Sequence, residues 1–208
     1  LAEELAKQEA ENFQKAEAEI KQAIQDAPDL KDLQKHLVID QTPEGLRIQI
    51  VDREGKPMFA SGSSRMEKPT RQLLAKITQV VQKLPNKISV TGHTDATPFR
   101  GSRKGYGNWE LSSNRALASR RVMVESGLKM EKISHVSGKE ATEPMIKEDP
   151  KDARNRRIAI IVLREAGKNA KSDKANAAKS AEKKSTAVPT DAAGDPLFTR
   201  DWSGPRLK

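Results

Sequence analysis

Apolar residues recur at helical spacing over the first 27 residues and predict one amphipathic helix. The recurring positions are Leu1, Leu5, Phe13, Ala16, Ile20 and Ile24. Glu–Lys pairs four residues apart support this helix, and Pro28 ends it. Because the apolar stripe is narrow and rich in alanine, two interpretations stay open: a solvated spacer helix, or a helix that pairs with its copy in a homodimer. We treat residues 1–28 as a linker helix.

Between residues 29 and 164, strand-like and helix-like patterns alternate. The predicted strands are 37–41, 46–51, 88–90, 133–137 and 158–163, and the predicted helices are 30–36, 69–84 and 108–127. Asp29 and Asn108 are expected to cap the first and last of these helices. This order predicts an α/β fold, a two-layer sandwich in which helices cover one face of a mixed β-sheet.

The composition changes after Arg164. Residues 165–208 are rich in Lys, Ala and Ser and lack a periodic apolar face, so they are predicted to form a disordered tail. Phe198 and Trp202 are isolated within it.

Overall composition narrows the class of protein. No run of 18 apolar residues exists, so nothing in this sequence is expected to span a membrane. Because the chain begins with Leu, we expect a processed or truncated piece, and an anchor or signal of the parent protein would lie upstream of Leu1. The net charge of +9 suits any polyanionic surface. Aromatic residues make up only 3% of the chain, which disfavours recognition of nucleic acid by base stacking. The absence of cysteine excludes disulfides and thiolate metal sites.

The stretch "VTGHTDATPFRG", residues 90–101, places His93 two residues before Asp95 and raises the question of catalysis. A metal site needs three or four ligands, and His36 and His135 lie in a predicted helix and strand without ligand-like neighbours. Neither the nucleophile-elbow motif nor a phosphate-binding glycine motif occurs. We therefore predict no enzyme, no metal and no cofactor.

A binding role fits the same stretch better. Val90 ends a predicted strand, and Gly92 is expected to allow a tight turn that presents Asp95 at a loop tip. Arg115 interrupts the apolar face of the helix that follows, and a buried guanidinium is costly unless it meets a carboxylate. Two possibilities stay open: an internal ion pair of Arg115 with Asp95 or a Glu, or a joint grip of both side chains on a zwitterion.

Three blocks of sequence carry a resemblance to a known family. "TGHTD", "NWELSSNRA" and "ARNRRIAIIV" occur in the order found in the OmpA-like peptidoglycan-binding domain, over about residues 60–164. The resemblance implies non-covalent binding of the diaminopimelate in the peptidoglycan stem peptide. It places Asp95 and Arg115 on the amine and carboxylate of that ligand.

The same resemblance assigns further residues. Thr94 and Asn108 match positions that support or line the site, and Arg120 is expected at its rim. Site-supporting roles are expected for Gly92, His93, Leu111, Asn155 and Arg156, with His93 shaping the turn and Asn155 organising the turn before the last strand.

Some members of this family tether the flagellar motor stator to the cell wall. The chain resembles them in three features: the long loop 96–107, the motif "NWELS" and the upstream helix. This implies a periplasmic, homodimeric domain of a protein anchored in the inner membrane, where an upstream segment contacts a second stator subunit. The alternatives are an OmpA-like outer-membrane lipoprotein or other envelope anchor and, more remotely, a basic nucleic-acid-binding protein or an unrecognised hydrolase.

Overall fold

A five-stranded sheet with the order β1-β2-β5-β3-β4 forms one layer of the structure. This computed structural model describes residues 2–53, 55–100 and 104–165. The strands are β1 (Leu37–Thr42), β2 (Gly45–Val51), β3 (Ile88–His93), β4 (Ile133–Gly138) and β5 (Arg157–Leu163). Neighbouring strands are antiparallel except β3 and β4, which run parallel. The predicted mixed sheet is confirmed.

Helices form the second layer. They are α1 (Ala2–Gln25), α2 (Lys68–Val81) and α3 (Asn108–Glu125), with 3₁₀ helices at Pro28–His36, Met130–Lys132 and Ala153–Asn155. The helix α3 joins β3 to β4, as a parallel strand pair requires. The predicted two-layer α/β architecture is confirmed.

The sheet and the helices share one apolar core. Ile48 of β2 and Val90 of β3 both lie opposite Ile160 of β5, and all three side chains are fully buried. Leu73 and Ile77 of α2 join the same cluster. Alternation along the strands thus places one face of the sheet against the helices.

The helix α1 is part of this core. Phe13, Ile20 and Ile24 are at most 1% exposed and belong to the apolar cluster shared with α2 and the sheet. At the end of β5, the carboxylate of Glu9 accepts hydrogen bonds from the Asn86 side chain at 2.7 Å and from the Glu165 amide at 2.8 Å. The interpretation of α1 as a solvated spacer is therefore wrong, because its apolar stripe is covered by its own chain.

The same contacts bear on dimerisation. Since the stripe of α1 is already buried within one chain, it is not free to pair with a second copy in this arrangement. The use of residues 1–28 as a linker in a longer protein stays a prediction, as does homodimer formation.

Several local predictions need correction. Ala27 rather than Asp29 precedes the first 3₁₀ helix, and Gly107 rather than Asn108 is the residue before α3. The strand β3 continues past Val90 to His93, because Gly92 and His93 pair with β5. The helix α2 ends at Val81, before the predicted end at Pro85.

The polar loop after β2 also contributes to the core, which the pattern of residues 52–65 does not indicate. Met58 and Phe59 are each 3% exposed, and Phe59 forms an isolated bridge with Met66. Of the predicted tail, residues 165–208, the structure describes only Glu165, and residues 166–208, with Phe198 and Trp202, lie outside the described residues. Among the helices that the structure describes, none is both long and apolar enough to cross a bilayer.

Burial of α1 leads to a test of stability. Replacement of Phe13 by Ala removes a fully buried ring, so we expect the free energy of unfolding to fall by about 3–5 kcal/mol. Urea denaturation of the chain measures this loss. The Leu5→Ala variant is the control, because Leu5 is 55% exposed on the same helix and its loss is expected to cost under about 0.5 kcal/mol. Equal stability of the two variants would show that α1 does not belong to the core.

Candidate functional site

The end of β3 brings His93, Thr94 and Asp95 of the TGHTD motif to one edge of the sheet. Gly92 and His93 are still strand residues, and Thr94 and Asp95 follow directly. The backbone φ of Gly92 lies outside the left-handed region. The prediction that Gly92 forms a tight turn is therefore wrong.

Gly92 instead allows a close approach between the strand and α3. A Cβ atom at this position would lie 2.1 Å from the carbonyl oxygen of Ser112 in α3. Gly138 at the end of β4 has the same function, since its Cβ would lie 2.2 Å from the Ser113 hydroxyl oxygen. The two glycines set α3, and with it Arg115, close to the ends of β3 and β4.

Asp95 is held by two partners at this edge. One carboxylate oxygen accepts the Thr97 amide at 2.9 Å, and the other accepts Nη1 of Arg156 at 2.6 Å. Nε of Arg156 donates to Asp52 at 2.8 Å, so one guanidinium joins two buried carboxylates. Burial works to lower the pKa of Arg156, but the bonds to Asp52 and Asp95 raise it.

Arg115 lies next to this cluster on α3 and is only 7% exposed. Its Nε donates to the Ser63 carbonyl at 3.0 Å, and its guanidinium stacks on the Phe59 ring, 5.0 Å from the ring centre. Burial lowers the pKa of Arg115, whereas the charges of Asp52 and Asp95 act in the opposite direction. Arg115 is therefore held in place by the 59–63 loop. The negative charges of Asp52 and Asp95 act on its guanidinium.

The internal ion pair of Arg115 with Asp95, one of the two possibilities from sequence, is not formed in the structure. Asp95 pairs with Arg156 rather than with Arg115, and Arg115 is oriented by a carbonyl and an aromatic ring. Asp95 and Arg115 therefore interact through their charges but do not form an ion pair with each other.

Described residues of the loop between β3 and α3 pack against each other and form hydrogen bonds with α3. The rings of Phe99 and Tyr106 pack against each other with centroids 5.2 Å apart, and Asn114 donates to the Tyr106 hydroxyl at 2.9 Å. The amide of Asn108 donates to the Thr97 carbonyl at 2.9 Å. Asn108 thus ties the loop that carries Asp95 to the start of α3.

Two buried groups beside Asp95 have polar atoms for which no partner is found among the described residues. These are the Thr94 hydroxyl and Nδ1 of His93. Burial, and then the charge of Arg157, lowers the pKa of His93 to about 4. His93 is the last residue of β3 rather than part of a turn, so its predicted turn-shaping role is not the one that the structure gives it.

The turn before β5 depends on Asn155, which is fully buried. Its side-chain oxygen accepts the Ile146 amide at 2.7 Å, and its side-chain nitrogen donates to the Asp149 carbonyl at 2.9 Å. The Ala96 amide donates to the Pro150 carbonyl at 2.9 Å. Asn155 therefore organises the segment that supports the residue after Asp95.

Leu111 and Arg120 differ in their relation to Arg115. Leu111 is buried one turn before Arg115 on the same helix face. Arg120 comes five residues after Arg115, which is about 140° around the helix axis. Its Nε is buried without a partner among the described residues. The place of Arg120 at the rim of the Asp95–Arg115 cluster stays a prediction.

Sequence reasoning missed three contributors to this cluster: Asp52, Phe59 and Ser63. Asp52 directly follows β2, and a carboxylate at the end of a buried strand is a signal that could have found it. No local pattern marks Phe59 or Ser63, because their contacts with Arg115 come from distant parts of the chain. Across the described ranges, no three His, Asp or Glu side chains are grouped so that they could hold a metal ion.

The close approach at Gly92 predicts a specific sensitivity. A Gly92→Ala variant has to move α3 away from β3, so we expect the free energy of unfolding to fall by at least about 2 kcal/mol, as measured by thermal or urea unfolding. Gly107→Ala is the matched control, because its Cβ meets only the Glu110 carboxylate at 3.6 Å. Wild-type stability of Gly92→Ala would contradict the packing described here.

The neutral state of His93 predicts a pH dependence. The unfolded chain protonates His93 near pH 6.5, whereas the folded chain does so only near pH 4, so stability falls as the pH drops through this window. We expect His93 to contribute a loss of about 2 kcal/mol between pH 7 and pH 4.5. Urea unfolding at both pH values measures it, and a His93→Gln variant should lose that much less. Equal acid sensitivity of the two proteins would refute the assignment.

Comparison with known proteins adds to this geometry. The sequence pattern of the OmpA family matches residues 58–157. The chain is 43% identical over 169 residues to motility protein B of Escherichia coli strain K12, an alignment that covers 81% of this chain and 55% of that protein. The chain thus spans about half the length of that relative.

Solved structures agree in fold. The periplasmic domain of Helicobacter pylori MotB superimposes with a TM-score of 0.56 at 23% identity, over 69% of this chain and 88% of that one. The cell wall anchor of the T6SS from Pseudomonas aeruginosa does so with a TM-score of 0.54 at 27% identity, over 67% of this chain and 94% of that one. Residues 58–157, which carry Asp95, Arg115 and Arg156, therefore form an OmpA-like domain.

Proposed function

We propose that this chain binds peptidoglycan without covalent bonds and thereby anchors a flagellar motor stator to the cell wall. The observation that carries the proposal is the charged cluster at the end of β3, where Asp95 and Arg115 are fixed in one neighbourhood but not bonded to each other. The 43% identity to a motility protein supports the motor context.

The cluster suits a zwitterion such as the diaminopimelate of the stem peptide. A carboxylate offers about four acceptor sites, and the Thr97 amide and Arg156 occupy two on Asp95. The remaining acceptor capacity can take a ligand ammonium. Arg115 uses Nε–H for Ser63, and its terminal amino groups can take a ligand carboxylate in two parallel bonds.

Arg156 has a positioning role in this proposal. By joining Asp52 and Asp95 it holds the Asp95 carboxylate in one orientation before the ligand arrives, which lowers the ordering cost of binding. The Thr94 hydroxyl is a buried polar group that a ligand can satisfy, and Asn108 keeps the loop in place.

Binding here requires no chemical transformation. The relatives named above are motility and anchor proteins, and the cluster pairs each charged group with a fixed partner rather than presenting a nucleophile with an adjacent base. Charge-assisted bonds of about 1.5–3 kcal/mol each give a weak, reversible hold that many copies of the contact on one wall can strengthen.

The wider context follows from the relatives and is part of the proposal. We infer that the domain lies in the periplasm and that the longer protein is held in the inner membrane by a segment upstream of this chain. Homodimer formation and contact with the stator partner MotA through that segment belong to the same proposal. The likeness to the cell wall anchor of the T6SS favours, as the second candidate, an envelope anchor outside the motor.

Co-sedimentation with purified sacculi tests the proposal. Asp95→Asn keeps the shape of the side chain but removes its charge, so we expect binding at least about ten-fold weaker than that of the wild type. Arg115→Lys keeps the charge and loses the two-pronged geometry, with a loss of similar size expected.

The control is Lys129→Gln, which removes an exposed charge just before the start of β4, at the opposite end of the sheet from Asp95. Urea unfolding of all three variants checks that each is folded under the conditions of the binding assay. Sedimentation of Asp95→Asn at the wild-type level would show that the cluster does not hold the wall.

A further inference from the structure

A second charged site lies beside the Asp95 cluster, in a cleft of about 530 Å³ between the 3₁₀ helix Pro28–His36, the loop after β2 and the segment before β5. Five basic side chains line it: Lys35, Arg53, Lys56, Lys151 and Arg154. Two carboxylates, Asp149 and Asp152, also line it, which leaves an excess of three positive charges. Such an excess within one cleft attracts an anionic group.

Some of these cations already have acidic partners. Lys56 pairs with Asp32 at 2.7 Å, and Arg154 makes a two-pronged contact with Asp152, at 3.0 and 2.6 Å. Arg53 uses its Nε–H for the Lys35 carbonyl at 2.6 Å. Within the described ranges, no ion pair is found for the side chains of Lys35, Arg53 or Lys151, so their charge remains available to a ligand.

His36 adds an independent sign of an unfilled site. It lines the cleft and is 1% exposed, and its Nδ1 lies 2.9 Å from the Val51 carbonyl, which fixes Nδ1 as the protonated nitrogen. Nε2 on the other side of the ring is then an acceptor, and it is buried with no partner among the described residues. A buried acceptor of this kind is stabilised by an N–H or O–H donor, such as a peptide amide.

Two links along the backbone connect residues of the cleft to residues of the Asp95 cluster. Arg53 follows Asp52, and consecutive Cα atoms are only about 3.8 Å apart, so the cleft begins one residue from a partner of Arg156. The segment that supplies Lys151 and Arg154 contacts the residue after Asp95 through the bond from the Ala96 amide to the Pro150 carbonyl. The cleft is therefore a neighbour of the Asp95 cluster.

We propose that this basic cleft binds a second carboxylate of the same stem peptide, the α-carboxylate of the D-glutamate next to diaminopimelate. The inference rests on the proposed function, since it assumes that diaminopimelate occupies the Asp95 cluster. A peptide supplies both chemistries that the cleft lacks: a carboxylate for Arg53 and Lys151, and a backbone amide donor for Nε2 of His36.

Two synthetic tripeptides test the inference on the full 208-residue chain. One is L-Ala–γ-D-Glu–meso-diaminopimelate, and the other differs only in an α-carboxamide on the D-glutamate. We expect the first to bind at least about three-fold more tightly by NMR titration, with shifts at Arg53, Lys151 and Arg154 that the amidated peptide does not cause.

The Arg53→Gln/Lys151→Gln double variant should bind both tripeptides equally, with the wild-type affinity for the amidated one. Lys87→Gln/Lys129→Gln is the charge-matched control, because both lysines lie at the opposite end of the sheet, and it should keep the preference of the wild type.

Equal binding of the two tripeptides by the wild type would overturn the second contact and leave the proposed function intact. An unchanged preference in the Arg53→Gln/Lys151→Gln variant would likewise overturn it. Failure of both tripeptides to bind the wild type would overturn the proposed function together with this inference.

Discussion

The guanidinium of Arg156 between the carboxylates of Asp52 and Asp95 is the interaction on which the candidate site depends. It joins the end of β2 to the residues after β3, and it does so where both carboxylates are nearly inaccessible to water. Without that cation, two buried negative charges would face each other at a large cost in free energy. Asp95 therefore owes its position to Arg156, which directly precedes β5.

The sheet order makes this arrangement possible. Because β5 lies between β2 and β3, the start of β5 adjoins the ends of both neighbours, and three charged residues from distant parts of the sequence meet at one edge. Gly92 and Gly138 then let α3 approach the same edge, which brings Arg115 to the cluster. The fold thus supplies a rigid base for the proposed site.

Sequence reasoning found the strands and helices from their periodicity, Asp95 from its place after a predicted strand, and Arg115 from its charge on an apolar helix face. It did not identify Arg156 as the partner of Asp95, because the two residues are 61 positions apart in sequence and only three-dimensional geometry brings them together. The sequence did not predict the burial of α1 for a similar reason. A narrow apolar stripe suits a solvated helix, a dimer or docking on its own domain, and the last depends on matching surfaces far along the chain.

The most direct test of the central claim is a crystal structure of this chain bound to a diaminopimelate-containing tripeptide. The account predicts an ammonium of diaminopimelate within hydrogen-bonding distance of Asp95, its carboxylate on the terminal amino groups of Arg115, and Arg156 still joining Asp52 to Asp95. A tripeptide bound away from Asp95 and Arg115, with the cluster unchanged, would contradict it.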